Sequence, residues 1–158
     1  MGRKPIDESS SMKREDEIIQ AAVNVFSSKG FSAATTSEIA KEAGIAEGTI
    51  FRYFKTKKDI LHGILLKLIK TFSGSLVLSG IEKIFHEGEG KDLRKLFKEV
   101  VRDRLNVARS IQPMAQVLLT EAIYHADIRK ALYDNLYIKA LALFTAFRNE
   151  AVAKGVLR

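Results

Sequence analysis

No cysteine occurs among the 158 residues. Disulfides, thiolate metal sites and thiol nucleophiles are therefore excluded. Proline is nearly absent as well, with Pro5 and Pro113 its two occurrences. Few stretches alternate polar and apolar residues at the period of a strand. Ala, Leu, Lys and Glu dominate the body, the mix of an all-α chain. No apolar run reaches the roughly 18 residues that a membrane span needs. The N-terminus, MGRKPIDESSSMKRED, has no apolar core of signal-peptide length. The expectation is a cytoplasmic protein with no membrane partner. His62, His86 and His125 show no ligand spacing with each other or with carboxylates. No carboxylate pair suggests acid–base work, and no glycine loop suited to cradling phosphate occurs. Neither an enzyme nor a metal or cofactor is expected.

What is present is enough apolar material, 46% of residues, to build a packed core. The net charge of +7 invites a nucleic-acid reading, yet its distribution weakens that argument. Residues 1–60 hold 10 Lys+Arg against 9 Asp+Glu, and residues 61–158 hold 16 against 10. Local arrangement has to carry the argument instead.

Residues 1–12 are polar and serine-rich, with Arg3 and Lys4 at the tip, and look like a flexible arm. A first helix is expected over about 13–29, with Ile18, Ala21, Ala22, Val25 and Phe26 on one face. Gly30 follows as its C-terminal glycine. A second helix begins near Thr35, which stands three residues before Glu38 at the spacing of a capping box. Gly44 ends it. A third runs over about 47–54, with Ile50 and Phe54 facing inward together. Helices this short are marginal alone and survive only by packing. The short link around Gly44 sets the pair at the steep angle of a helix-turn-helix, and a left-handed backbone there would explain the glycine. With Ile50 and Phe54 inside, Thr49, Arg52 and Tyr53 point out. Arg52, Lys55, Lys57 and Lys58 then give a basic rim without an acid among them, which suits a recognition helix in a major groove. Lys57 also lies at the start of a fourth helix, where backbone N–H groups attract phosphate.

The run IIQAAVNVFSSKGF followed by ATTSEIAKEAGIAEGTIFRYFKTKKDIL resembles the DNA-binding head of the TetR family of bacterial repressors. The spacing of Gly30, Thr35-Thr36, Ile39-Ala40, Gly44, Gly48, Phe54 and Lys57 follows that family's pattern. The resemblance implies phosphate or base-edge contacts for Thr36 and Ser37. It implies a groove surface made by Glu47, Gly48, Thr49, Arg52 and Tyr53, and a phosphate held by Lys57. Phe51 departs from the tyrosine common in the family: a phosphate hydrogen bond is lost, and an apolar contact to a thymine methyl remains open. Arg3 and Lys4 resemble the minor-groove arm of some members, with a roleless N-terminus as the alternative. Arg52 is read as a base contact, with a phosphate contact as its alternative.

The sequence is therefore divided into a basic arm over 1–12, a helix-turn-helix domain over 13–57 and a helical effector and dimerisation body over 58–158. In the body, breaks are expected at Gly74 and Gly80 and a loop at 86–91. Helices are expected over about 92–109, from Pro113 to 124, and over about 127–154. Phe72, Phe97, Tyr124, Tyr137 and Phe144 are candidates to line an effector pocket, with Arg109 and Gln116 as polar anchors; each aromatic has a core role as its alternative. Residues 136–147, LYIKALALFTAF, are apolar on all sides and so demand a cover. Family members usually continue into two more helices that form a dimer interface. The chain is thus expected to lack its last two helices, or to have this helix covered by another subunit. The function expected is a repressor that binds a palindromic operator in double-stranded DNA as a homodimer and is released by a small apolar or amphipathic effector. The alternative is a DNA-binding regulator with no small-molecule effector, controlled by a protein partner or by abundance.

Overall fold

The computed structural model describes residues 8–76 and 93–153, and every regular element within them is helical. In chain order these are α1 (Glu8–Lys29), α2 (Thr36–Glu42), α3 (Glu47–Tyr53), α4 (Lys57–Leu76), α5 (Leu93–Glu121) and α6 (Ala126–Leu132). A π-helical turn (Tyr133–Tyr137) and α7 (Ile138–Ala153) follow. The chain divides into two compact units, one of residues 1–66 with 113–124 and the other of residues 67–112 with 125–158.

In the first unit, local signals set the element ends. α1 stops at Gly30, whose φ of +81° lies in the left-handed region; its N–H donates to the Phe26 carbonyl at 2.8 Å. α2 opens with a full capping box. The Thr35 N–H donates to Glu38 Oε2 at 3.0 Å, and the Glu38 N–H to Thr35 Oγ1 at 3.2 Å. It closes at Gly44, φ +65°, with the Ile45 N–H on the Ala40 carbonyl and the Gly44 N–H on the Lys41 carbonyl. That pair of bonds is a Schellman motif. A residue with a Cβ at position 44 would cost about 1 kcal/mol through its backbone alone, because no neighbouring atom lies within 4 Å of where that Cβ would sit. α4 has its own box: the Thr56 N–H donates to Asp59 Oδ2 at 2.9 Å and the Asp59 N–H to Thr56 Oγ1 at 3.1 Å.

These short elements hold together through their buried faces. Ile18, Ala22, Ile39, Ile50, Ile60, Leu61 and Ile64 are each fully buried. Truncating a side chain such as Ile50 to alanine would cost about 2–5 kcal/mol, more than a seven-residue helix can supply from its own backbone. Gly63 explains how α4 lies so close. A Cβ there would meet Phe54 Cε1 at 2.9 Å and Ile19 Cδ1 at 3.4 Å. The segment 113–124 adds Met114, Val117, Leu118 and Ala122 to the buried residues, together with the carboxyl-bearing Glu121, 6% exposed.

Several expectations are corrected. α1 begins at Glu8, so residues 8–12 are helical rather than part of an arm. On α1, Ile19 and Val23 are buried, whereas Val25 is half-exposed; the buried stripe is rotated because helical spacing permits either edge. Pro113 does not start a helix but lies inside α5. Having no N–H to give the Arg109 carbonyl, it falls where the two compact units divide. Gly74 does not break α4, which continues to Leu76. The expected helix over 127–154 is divided by the π-helical turn. Gly80 and the expected loop at 86–91 lie outside the described residues.

Candidate nucleic-acid interface

α2 and α3 place the expected contact residues on and around one surface. Ser37, Gly48, Phe51 and Arg52 are exposed, and Thr36, Glu47, Thr49 and Tyr53 are half-buried. Phe51 is 42% exposed although it is a large apolar side chain. Its neighbours Ile50 and Phe54 take the inward positions, so helical geometry leaves it outside. Gly48 has neither a positive φ nor any atom within 4 Å of where a Cβ would sit. Nothing inside the molecule requires glycine there.

A bond that the sequence did not announce ties the two helices at their N-terminal ends: Thr36 Oγ1 donates to Glu47 Oε1 at 2.6 Å. The capping carboxylate Glu38 also bonds the Lys29 ammonium. That bond, followed by those from the Thr35 N–H and hydroxyl, holds its pKa below the ordinary value of 4.5. Asn24 on α1 donates to Glu42 Oε1 at 2.8 Å. The head is thus fastened to α1 at both ends of α2.

Lys57 requires a correction. Its ammonium donates to three backbone carbonyls, of Phe31 at 2.6 Å, Ser32 at 3.1 Å and Ala34 at 2.8 Å. It also sits 4.6 Å from the centre of the Phe31 ring. An ammonium has three donors, and here all three are used within the protein. In this geometry the ammonium has no donor left for the expected phosphate contact. Sequence reasoning missed the clamp because its acceptors are main-chain carbonyls, which every residue carries. Of the remaining cations on the rim, Arg52 is exposed and Lys55 donates to the Phe51 carbonyl at 3.2 Å.

Comparison with known proteins fits this geometry. The family described as bacterial regulatory proteins, tetR family, matches residues 18–64. The fatty acid metabolism regulator protein of Bacillus subtilis is 40% identical over 145 aligned residues, covering 73% of this chain and 71% of that protein. The chain belongs to the TetR family. The HTH-type regulator YerO of the same organism is 28% identical over 137 residues, covering 82% of this chain and 46% of YerO. The chain therefore spans less than half of YerO. Among solved structures, the regulator FadR from Bacillus subtilis, in complex with stearoyl-CoA, shares the fold with a TM-score of 0.60 at 24% identity. It is covered to 73% by this chain, of which 90% is matched. The head of this chain, matched over residues 18–64, is a helix-turn-helix of the kind found in bacterial regulatory proteins of the tetR family.

The residues expected to line an effector pocket in this TetR-family chain differ in exposure. Phe72 is half-buried, but Arg109 and Gln116 are exposed; Tyr124, Tyr137 and Phe144 are 76%, 56% and 66% exposed. On α5 the buried stripe is Met114, Val117, Leu118 and Glu121, so Gln116 falls on the opposite side. The Phe97 side chain lies outside the described set, as do Arg3 and Lys4. In the all-apolar run, Ile138, Leu141 and Phe144 stand exposed. Among the described residues, no helix is long and apolar enough to cross a membrane.

Proposed function

We propose that this chain is a transcriptional repressor that binds a palindromic operator as a homodimer through the outward surface of α3. The observation that carries the reading is the combination on that helix of an exposed Arg52, an exposed Phe51 and a Gly48 with no internal reason to be glycine. A bare backbone position beside a guanidinium and an apolar tip suits close approach to a major groove, with Arg52 paired to a guanine edge and Phe51 against a thymine methyl. Ser37, Thr36 and Thr49 supply hydroxyls at the edge of the same surface, Tyr53 a phenol, and Glu47 an acceptor for a cytosine amine. Two heads would address half-sites about 34–36 Å apart or a multiple of that distance.

The effector we infer is an amphipathic molecule with a long acyl chain. Support comes from the name of the 40%-identical Bacillus subtilis relative, a fatty acid metabolism regulator. A second reading is regulation without a small-molecule effector, by a protein partner or by abundance. Selection of bound duplexes from a random pool tests the first part. Enrichment of an inverted repeat is expected, and enrichment of a single asymmetric half-site or of nothing contradicts it. Stearoyl-CoA added to the selected complex then separates the readings: release supports an acyl effector, and unchanged binding supports the second.

A further inference from the structure

We infer that Lys57 is a positioning residue, whose side chain couples the first turn of α4 to the N-terminal ends of α2 and α3, and that its ammonium is not a phosphate ligand. The inference rests on the reading of α3 as the DNA surface. Its starting point is the position of the three carbonyls. Phe31, Ser32 and Ala34 all belong to the turn between α1 and α2. Ala34 directly precedes Thr35, the N-cap of α2. Lys57 is the first residue of α4. One ammonium therefore ties the start of α4 to the point from which α2 departs.

The connection continues. Thr36, the first residue of α2, bonds Glu47, the first residue of α3, at 2.6 Å. The three helix starts are linked in sequence: Lys57 to Ala34, then through the Thr35 cap to Thr36, then to Glu47. The caps of α4 and α2 on this path are closed boxes; the N-cap of α3, Ala46, makes no side-chain bond, and the Thr36 bond to Glu47 is what holds that end. A displacement of the first turn of α4 would carry the turn at 31–34 with it. It would then shift the end of α3 that bears Gly48.

The chemistry selects lysine for this place. Carbonyls from three residues of one turn converge on a single tetrahedral nitrogen, which also packs 4.6 Å from the Phe31 ring centre. A guanidinium spreads its donors in a plane along a fork and suits paired oxygens instead. A phosphate contact would behave in the opposite way, because arginine serves phosphate at least as well as lysine.

The test compares wild type, Lys57→Met and Lys57→Arg on the duplex recovered by selection and on a scrambled duplex of equal length. Binding is read across a series of salt concentrations, at a temperature where circular dichroism shows each protein folded. Expected for both variants is a loss of about tenfold or more on the selected duplex, with the scrambled duplex changed by less than about twofold. The slope of log K against log salt is expected to stay at its wild-type value. A slope smaller by about 0.9 per bound head, an equal loss on both duplexes, or wild-type affinity of Lys57→Arg would each overturn the inference. If neither variant folds, the wild-type protein supplies the answer. The carbonyl ¹³C resonances of Phe31, Ser32 and Ala34 are expected to stay in place when the selected duplex is added. Their displacement would show Lys57 leaving the turn for phosphate. A wild-type protein that binds no duplex overturns the reading of α3, and the positioning role with it.

Discussion

Replacing Gly48 with alanine should push stability and DNA affinity in opposite directions, and the structure allows each to be sized. Gly48 lies in the first turn of α3, has an ordinary backbone conformation, and a Cβ added to it meets no atom within 4 Å. Alanine therefore introduces neither strain nor a clash in the free protein. Exchanging glycine for alanine within a helix stabilises it by about 0.5–1 kcal/mol, because less backbone freedom is lost on folding. In a domain of this size that raises the melting temperature by about 2–4 °C. In the complex the same methyl group would stand where phosphate or a base edge is to approach the bare backbone. Moving one contact out by the width of a methyl group should weaken binding at least tenfold, about 1.4 kcal/mol. Thermal melting of the free protein and fluorescence-anisotropy titration of the selected duplex give the two numbers independently. A variant that melts higher and still binds as tightly as wild type would refute the argument, since the glycine would then have no reason inside or outside the molecule.

Gly63→Ala should destabilise the head despite a better helix former. The new Cβ would lie 2.9 Å from a Phe54 ring that is itself buried, and overpacking of about 1–3 kcal/mol exceeds a gain of about 1 kcal/mol. Phe54→Leu in the same chain should recover part of the loss, and additive effects of the two changes would contradict the contact. Glu38→Gln should lower the melting temperature at pH 7, and the deficit should disappear once the pH has fallen below the depressed Glu38 value. The Glu38 pKa is held below 4.5 in the folded state, first by Lys29 and then by Thr35. Its contribution is therefore present above that value and lost as the pH falls through the depressed folded one. A deficit of the variant that persists in acid would contradict this. Ile138, Leu141 and Phe144, all exposed on α7, should drive association at micromolar concentration. Sedimentation velocity should show Phe144→Lys shifting the protein toward monomer, and an already monomeric wild type would contradict it.

The head was legible in the sequence because its signals are local. The Thr35/Glu38 box, the glycines at 30 and 44, and the inward pair Ile50 and Phe54 all act within a few residues of themselves. Capping chemistry and helical period act the same way in any fold. What escaped reading depends on partners distant in the chain. Lys57 looked like a free cation because nothing in its neighbourhood names the carbonyls of 31–34 as its acceptors, more than twenty residues away. Gly63 carried no turn signal, since its reason is the ring of Phe54. Pro113 reads as a helix start by its usual preference, and α5 carries it inside instead. The aromatic residues of the body show how little residue type says about burial. Tyr124 and Phe144 fit a pocket by chemistry, yet both are more than half exposed.

The central claim is that the outward face of α3 reads DNA sequence, and Arg52→Ala measured on selected and scrambled duplexes at several salt concentrations tests it most directly. Arg52 is exposed and makes no ion pair among the described residues, so its removal leaves the fold and the melting temperature unchanged. The expected result is a loss of about 1–3 kcal/mol on the selected duplex with little change on the scrambled one. An equal loss on both, with a salt slope reduced by about one unit, would make Arg52 a phosphate contact. It would contradict the assignment of sequence reading to this face of α3.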